Sequence, residues 1–252
     1  VDLTDPAQVA AVMTIGARVG EILIANGTTS SDAKAQIHAV TSSYGLHYCH
    51  VDITLNTITV NSLIGTTRKQ PVGVFRVVSD MSENYSKLQE VDRLIRSIRA
   101  GATPPEMAEK ILDDLYNAKP PYPLWVSIAG WSIMGAAISI LLGGDWFMSV
   151  LGAFTAALIT SINAWLGKKE LPYFYHCVLG GFVATVPAAL FYTLAARAGT
   201  TIVPSQVIAT GIVVLLAGLT LVQSLQDGVT GSPVTASGRF FAALLNTGAI
   251  VA

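Results

Sequence analysis

The stretch VPSQVIATGIVVLLAGLTLVQSLQDGVTGSPVTASGR, residues 203–239, decides the fold class of this chain. It begins as an apolar run long enough to cross a bilayer, which takes about 20 residues. Gln223 and Asp227 then bring polar groups to the end of this run, and Ser232 and Pro233 start another helix after a turn of small residues. An ionisable group between two such helices is typical of a solute or proton site in a transporter.

The composition of the whole chain predicts a membrane protein. Hydrophobic residues make up 52% of it, charged residues only 12%, and the mean hydropathy is +0.54, whereas soluble domains are about 25% charged. Residues 1–122 hold 11 of the 15 Lys and Arg and 13 of the 16 Asp and Glu. We therefore predict a soluble domain over residues 1–122 and a transmembrane domain over residues 123–252. A net charge of -1 without a basic run argues against a nucleic-acid partner.

The soluble domain is predicted to be an α+β domain, with helices around a small antiparallel sheet. Helical spacing of apolar residues predicts an amphipathic surface helix from Pro6, and Ser30 is expected to cap a second helix. Apolar residues alternate between residues 47 and 78, which predicts strands with a turn near Asn56. Thr103 begins a capping-box pattern, so a further helix is expected there.

Five transmembrane helices are predicted after the stiff segment KPPYP, residues 119–123. They are placed at about 124–142, 146–166, 174–196, 204–225 and 240–252, and the last is too short to span. That short span, and a first residue other than Met, predict that the chain is part of a longer protein. Lys168, Lys169 and Arg239 fall on the side of the soluble domain and Arg197 on the other, so the positive-inside rule places the domain in the cytoplasm.

Four stretches of the chain resemble members of the threonine/serine exporter family of bacteria and archaea. They are GARVGEILIANGTTS, VDITLNTITVNSL, RVVSDMSENYSKL and QDGVTGSPVTASGR, and the last is the most specific. The resemblance extends over essentially the whole chain. It implies an inner-membrane protein with a cytoplasmic N-terminal domain and about ten spans, in one chain or divided between two polypeptides. A C-terminal membrane half is then the implied partner, and export of threonine and serine driven by the proton gradient is the implied activity.

Asp227 is the residue that we expect to bind substrate and to couple its export to protons. Thr220, Gln223 and Asp227 lie on one face of the fourth predicted span, which makes a polar stripe that ends in a carboxylate. Asn163, near the same end of the second span, could complete the cluster. The substrate ammonium would then bind Asp227, and its hydroxyl would contact the neighbouring amides or Thr220. The alternative is an interfacial carboxylate that is solvated or pairs with Lys168, Lys169 or Arg239.

The turn after Asp227 offers a site for the substrate carboxylate. Ser232 and Pro233 are typical first residues of a helix, so the backbone amides of Val234 and Thr235 would be free donors at its positive end. Such an end suits a carboxylate. The alternative is an ordinary cytoplasmic loop followed by a capped helix.

Two other functions remain as alternatives to a non-enzymatic transporter, and a homo-oligomer is left open. A membrane-embedded hydrolase could use Ser232 or the cluster HYCHVD, residues 47–52, but no base is positioned beside a nucleophile. A structural membrane subunit could bind a cytosolic partner through the soluble domain. No phosphate-binding loop is present, and HYCHVD lacks a second Cys or His pair at finger-like spacing, so no cofactor and no metal site are predicted.

Overall fold

The computed structural model describes residues 5–65, 69–78, 84–118, 121–169, 171–197, 203–216 and 218–251. The chain divides into two compact units. The first unit comprises Val1–Pro121 together with Val222–Arg239, and the second comprises Tyr122–Leu221 together with Phe240–Ala252. A stretch close to the C-terminal end of the chain therefore folds with the N-terminal residues.

The described residues are mostly helical, with one small antiparallel sheet. In chain order the elements are α1 Pro6–Ala25, α2 Ser30–Ser43, β1 Cys49–Thr54, β2 Thr57–Ile64, β3 Gln70–Val77, α3 Tyr85–Arg99, α4 Pro105–Asn117, α5 Leu124–Leu141, α6 Trp146–Gly167, α7 Tyr173–Arg197, α8 Pro204–Leu215, α9 Gly218–Val229 and α10 Pro233–Val251. The predicted combination of helices with a small antiparallel sheet is confirmed.

Helix α1 forms the centre of the first unit. It starts where Pro6 and the side chain of Asp5, which accepts a hydrogen bond from the Ala7 amide, satisfy its first turn. The prediction of an amphipathic surface helix is wrong, because Met13 and Ile15 are completely buried although they lie off the apolar face that the helical spacing predicts. A helix that is apolar all round packs on several sides at once.

The sheet has the strand order β1-β2-β3, with both pairs antiparallel. Val51 lies opposite Val60 and Ile53 opposite Ile58, and all four side chains are buried in the same core as α1. The predicted turn near Asn56 is confirmed. Leu55 begins it with a φ of 55°, a left-handed backbone that is uncommon for a residue other than glycine.

Two predicted helix caps are wrong by one residue. Thr29, not Ser30, is the cap of α2, because its hydroxyl accepts a hydrogen bond from the Asp32 amide. Helix α4 starts at Pro105 with Pro104 as its cap and no side-chain capping bond. The hydroxyl of Thr103 instead lies 2.6 Å from that of Ser97, in a buried position. In α2 the hydroxyl of Thr29, one residue earlier, takes the capping position, and at α4 the contact with Ser97 holds the Thr103 hydroxyl away from the helix amides.

The second unit packs its helices through small residues. A Cβ added to Gly135 of α5 would lie 2.7 Å from the Ala156 Cβ and 2.9 Å from the Gly152 carbonyl oxygen of α6. Large apolar side chains point outward instead, as Ile133 and Leu141 of α5 do with exposures of 71% and 85%. Small residues at helix contacts and large apolar residues outside are typical of a membrane bundle.

Five helices of the described residues are long and apolar enough to cross a membrane, and α8 with α9 would add a sixth if the pair forms one broken span. They are α1, α5, α6, residues Tyr173–Thr193 of α7, and α10. Helix α1 meets the criterion by length and composition, although most of it is buried within the first unit. The other four correspond to predicted spans.

Two predicted spans have different bounds in the structure. The span at 204–225 is not one helix, because Leu216 has an extended backbone with a ψ of 125° and separates α8 from α9. The span predicted at 240–252 begins earlier, at Pro233, so α10 has 19 residues. Apolar composition does not reveal the break at Leu216, because the residues on both sides of it are apolar. The polar residues before Phe240, including Arg239, placed the start of the last span too late, because a helix can begin outside its apolar stretch. Residues 198–202 of the predicted outer loop lie outside the described residues.

Candidate functional site

The carboxylate of Asp227 is fully buried and has a partner on each oxygen. Its Oδ1 accepts a hydrogen bond from the Ser30 backbone amide at 3.0 Å, and its Oδ2 accepts one from Nη1 of Arg239 at 2.8 Å. The side chain of Asp227 is 0% exposed and that of Arg239 is 11% exposed. Asp227 is thus paired with Arg239, which sequence reasoning considered only as an alternative.

The amide that binds Asp227 belongs to the first turn of α2. The first amides of a helix have no partner within it, and they carry the positive end of the helix dipole. The Thr29 hydroxyl accepts from the Asp32 amide, while Asp227 accepts from the Ser30 amide. A carboxylate from a distant part of the chain therefore completes the cap of α2 and is stabilised by its dipole.

The turn between α9 and α10 brings Arg239 to Asp227. The Ser232 amide donates to the Asp227 carbonyl oxygen at 2.8 Å, and Gly231 has a φ of 89°, a left-handed conformation that glycine adopts without strain. Pro233 then starts α10, in which Arg239 lies near the end of the second turn. The small residues between α9 and α10 allow a tight turn, which brings Arg239 within hydrogen-bond distance of Asp227.

Gln223 and Thr235 bind backbone groups of the first unit. The Gln223 side-chain amide donates to the Gly27 carbonyl oxygen. The Thr235 hydroxyl, which is 1% exposed, accepts a hydrogen bond from the Leu55 amide at 3.1 Å. Leu55 also lies against Gly238, where an added Cβ would collide with its side chain. The segment Val222–Arg239 is therefore fixed both to the loop before α2 and to the β1–β2 turn.

The remaining predicted site residues are divided between the two units. Ser232 and Val234 belong to the first unit with Asp227, and Val234 is 61% exposed. Asn163 and Thr220 belong to the second unit. The Asn163 Oδ1 is buried and has no hydrogen-bond partner among the described residues.

Sequence reasoning did not find Ser30 as a partner of Asp227. Its side chain is completely buried, and its Oγ has no hydrogen-bond partner in the part of the chain that the structure describes. The available signal was the stretch GTTS, residues 27–30, which belongs to the resemblance but carries no ionisable group. A backbone donor leaves no mark in a sequence, so this contact could not be deduced from residue types.

The cluster HYCHVD has its side chains on two faces of β1. The Cys49 Sγ lies 3.2 Å from the Thr41 hydroxyl and 3.5 Å from Nδ1 of His38. Asp52 is on the exposed face, where the hydrogen bond from the Thr54 hydroxyl is the main cause that lowers its pKa. No group of three or more His, Cys, Asp or Glu that could hold a metal ion occurs within the described residues.

The chain matches a family model described as "Putative threonine/serine exporter" over residues 14–252. It belongs to the threonine/serine exporter family. A "Threonine/serine exporter" of Corynebacterium glutamicum is 60% identical over 252 residues, which are 100% of this chain and 52% of the relative. A "Probable threonine/serine exporter" of Mycobacterium tuberculosis (strain ATCC 25618 / H37Rv) is 38% identical over 240 residues, 95% of this chain and 44% of the relative.

The chain spans about half the length of these two relatives. No solved structure matches it. All three descriptions are of exporters rather than enzymes, so the predicted family and the prediction of a non-enzymatic protein are confirmed. Family membership and the long apolar helices together make the chain a multi-pass membrane protein.

Three stretches that carry the family resemblance meet around Asp227. The stretch GARVGEILIANGTTS ends at Ser30, VDITLNTITVNSL contains Leu55, and QDGVTGSPVTASGR runs from before Asp227 to Arg239. Residues typical of this exporter family are therefore in direct contact within the first unit, although they are far apart in the sequence.

Proposed function

We propose that this chain exports threonine and serine as a secondary transporter of the cell's inner membrane. The observation that carries the proposal is the family match over residues 14–252, together with a relative, 60% identical, that is named an exporter of these amino acids. Because the relatives are about twice as long, the proposal includes a C-terminal membrane half, fused or separate, as a required partner.

The test is counterflow of labelled threonine in proteoliposomes. The native full-length protein should exchange labelled threonine and serine across the membrane, and residues 1–252 alone should not, because too few helices are present to enclose a path between two repeats. Robust flux by residues 1–252 alone would show that the second half is not required. Absence of flux from the native protein would refute export itself.

Proton exchange through Asp227 is the second part of the proposal. Asp227 is the buried carboxylate at the end of α9, and its charge is balanced by Arg239. A proton on Asp227 would remove that balance, so protonation and the state of the ion pair are linked. Asp227→Asn keeps the size of the side chain and removes its titration.

Threonine efflux at several imposed pH gradients tests this role. Asp227→Asn should abolish the dependence of efflux on the gradient, at matched amounts of protein in the membrane. Asp145→Asn is the control, because Asp145 is exposed and makes no side-chain capping bond to α6. Unchanged pH dependence in Asp227→Asn would show that another group carries the proton.

A cytoplasmic first unit is the third part of the proposal, and it is supported by the Lys and Arg distribution of the loops. Single cysteines at Lys169 and Asp145 test it in a background that lacks Cys49 and Cys177. Both positions are exposed. An impermeant maleimide should label the cysteine at Asp145 in intact cells and leave the one at Lys169 unlabelled, and the reverse pattern would refute the orientation.

A further inference from the structure

The Asp227–Arg239 pair is the most buried ion pair of the described residues. Its side chains are 0% and 11% exposed. In each other pair within the described ranges at least one side chain is 35% exposed or more. Both residues of the pair also lie in QDGVTGSPVTASGR, the most specific of the stretches that carry the family resemblance.

A ligand that replaces both charges opens a buried ion pair at the lowest cost, because neither partner is then left unpaired. Removing one partner leaves a buried charge without compensation, which is strongly unfavourable. An amine alone would satisfy Asp227 and leave Arg239 unpaired, and a carboxylate alone would do the opposite. A zwitterion satisfies both, because its ammonium suits Asp227 and its carboxylate suits the planar donors of Arg239.

Ser30 supplies a second and independent observation. Its Oγ is fully buried and has no hydrogen-bond partner among the described residues, while its amide binds Oδ1 of Asp227. A buried hydroxyl without a partner is unfavourable, and native proteins rarely keep one without a reason. At the positive end of α2, this hydroxyl is suited to donate a hydrogen bond to a carboxylate.

We propose that Asp227, Arg239 and Ser30 form the binding site for the head group of a zwitterionic α-amino acid. The substrate ammonium takes the place of Arg239 on Asp227, and the substrate carboxylate is held by Arg239 and Ser30. The pair is closed to solvent in this structure, so it opens before the substrate binds. This inference rests on the proposed export of threonine and serine, and it makes Arg239 and Ser30 residues that determine substrate class.

Binding of labelled threonine to the purified, native full-length protein tests the site. Threoninol has the ammonium and the hydroxyl but no carboxylate, and 3-hydroxybutyrate has the carboxylate but no ammonium. Because each analogue leaves one buried charge unpaired, each should compete at least about tenfold more weakly than threonine. Equal competition by either analogue would overturn the proposal.

The decisive variant is Asp227→Asn with Arg239→Gln. It removes both charges and keeps the approximate shape, and neutral replacement of a buried pair is tolerated when the pair only holds the fold. We expect a loss of at least about tenfold in threonine affinity and loss of the discrimination against threoninol. The matched control is Glu21→Gln with Arg76→Gln, a pair at 3.3 Å in the same unit, which should bind threonine as the wild type does.

Ser30→Ala keeps the test falsifiable if the double variant does not fold. Loss of one hydrogen bond should weaken threonine binding by about fivefold and leave competition by threoninol unchanged. Unchanged threonine affinity in Ser30→Ala, or in a folded double variant, would overturn the proposal. If the wild type neither binds nor exports threonine and serine, it is the proposed function that fails.

Discussion

The two units of this chain bury opposite kinds of side chain. The first unit has a continuous aliphatic core in which Ile15, Ile37 and Leu112 are completely buried. The second unit buries mainly small residues at its helix contacts, such as Gly135 and Ala156, and leaves many large apolar side chains exposed. The packed aliphatic core of the first unit is typical of a domain that folds in water, whereas the apolar surface of the second unit is typical of a bundle that faces lipid.

The two units also bury different kinds of polar group. The first unit buries a full charge, Asp227, with its own counter-ion. Among the described residues of the second unit, the buried polar side chains other than His176 bear hydroxyls. Thr155 and Thr210 donate to carbonyl oxygens of their own helices at 3.0 and 2.8 Å. Hydroxyls can be satisfied within one helix, whereas a buried charge requires a partner from elsewhere in the fold.

Removing a large aliphatic side chain from the core of the first unit should have the largest effect. Ile37→Ala should destabilise the first unit by about 2–5 kcal/mol, because it leaves a cavity in a packed core. Ile133→Ala, at a position that is 71% exposed, should change the stability of the second unit by less than about 1 kcal/mol.

Thermal scans with a thiol-reactive dye can follow each unit, because Cys49 lies in the first unit and Cys177 in the second. In Ile37→Ala the Cys49 signal should appear at a lower temperature. Equal shifts from the two substitutions would contradict the difference between the units.

Adding a methyl group at a helix contact should have the next largest effect, and here the second unit is the sensitive one. A Cβ on Gly181 of α7 would collide with the Ile250 backbone carbonyl of α10, which cannot move aside like the end of a side chain. Gly181→Ala should therefore destabilise the second unit by about 1–3 kcal/mol.

Gly248→Ala is the matched control in the same unit, since nothing lies within 4 Å of an added Cβ. It should be neutral or stabilising by up to about 1 kcal/mol, because alanine favours a helix over glycine. In the thermal scan, Cys177 should become reactive at a lower temperature in Gly181→Ala than in Gly248→Ala. Identical traces would mean that α7 and α10 are not closely packed.

Loss of the Thr235 hydroxyl should have a smaller effect. Thr235→Val removes the acceptor of the part-buried Leu55 amide, and the loss of that hydrogen bond should cost about 0.5–1.5 kcal/mol in the first unit. Thr247→Val is the control, because the Thr247 hydroxyl donates to the Ala243 carbonyl oxygen of its own helix and leaves no backbone amide without an acceptor. Hydrogen exchange of the Leu55 amide measures the loss, and unchanged protection would mean that Thr235 does not hold the hairpin turn.

The smallest effect concerns alkaline pH. Desolvation by burial raises the pKa of Tyr44 to about 12 from 10.0, and its hydroxyl donates to the Thr103 carbonyl oxygen at 3.0 Å. The neutral form is favoured in the folded state, so this contribution is complete below pH 10 and is lost as the pH rises toward 12.

Tyr44→Phe should remove that part of the pH dependence from alkaline unfolding, as followed by circular dichroism. Tyr48→Phe is a suitable control because Tyr48 is 89% exposed. A wild-type curve identical to that of Tyr44→Phe between pH 10 and 12 would show that Tyr44 does not contribute.

Residue types and their spacing were sufficient to predict most helices and strands and the family. Period-two alternation predicted the hairpin around Asn56, and apolar length predicted α5, α6 and α7 closely. These features depend on neighbours within one helix or one strand pair, so residue types and their spacing are sufficient to find them. The choice of Asp227 and Thr235 as residues of interest also came from local pattern.

The partners of these two residues could be found only in the tertiary structure. Asp227 meets Ser30 across 197 positions of sequence, and Thr235 meets Leu55 across 180. The partners include backbone amides, which every residue other than proline possesses, so nothing in the residue types marks them. The extended backbone at Leu216, which separates α8 from α9, was likewise not predicted from residue types. A buried carboxylate needs hydrogen-bond donors, and which donors lie close enough depends on how distant parts of the chain pack together.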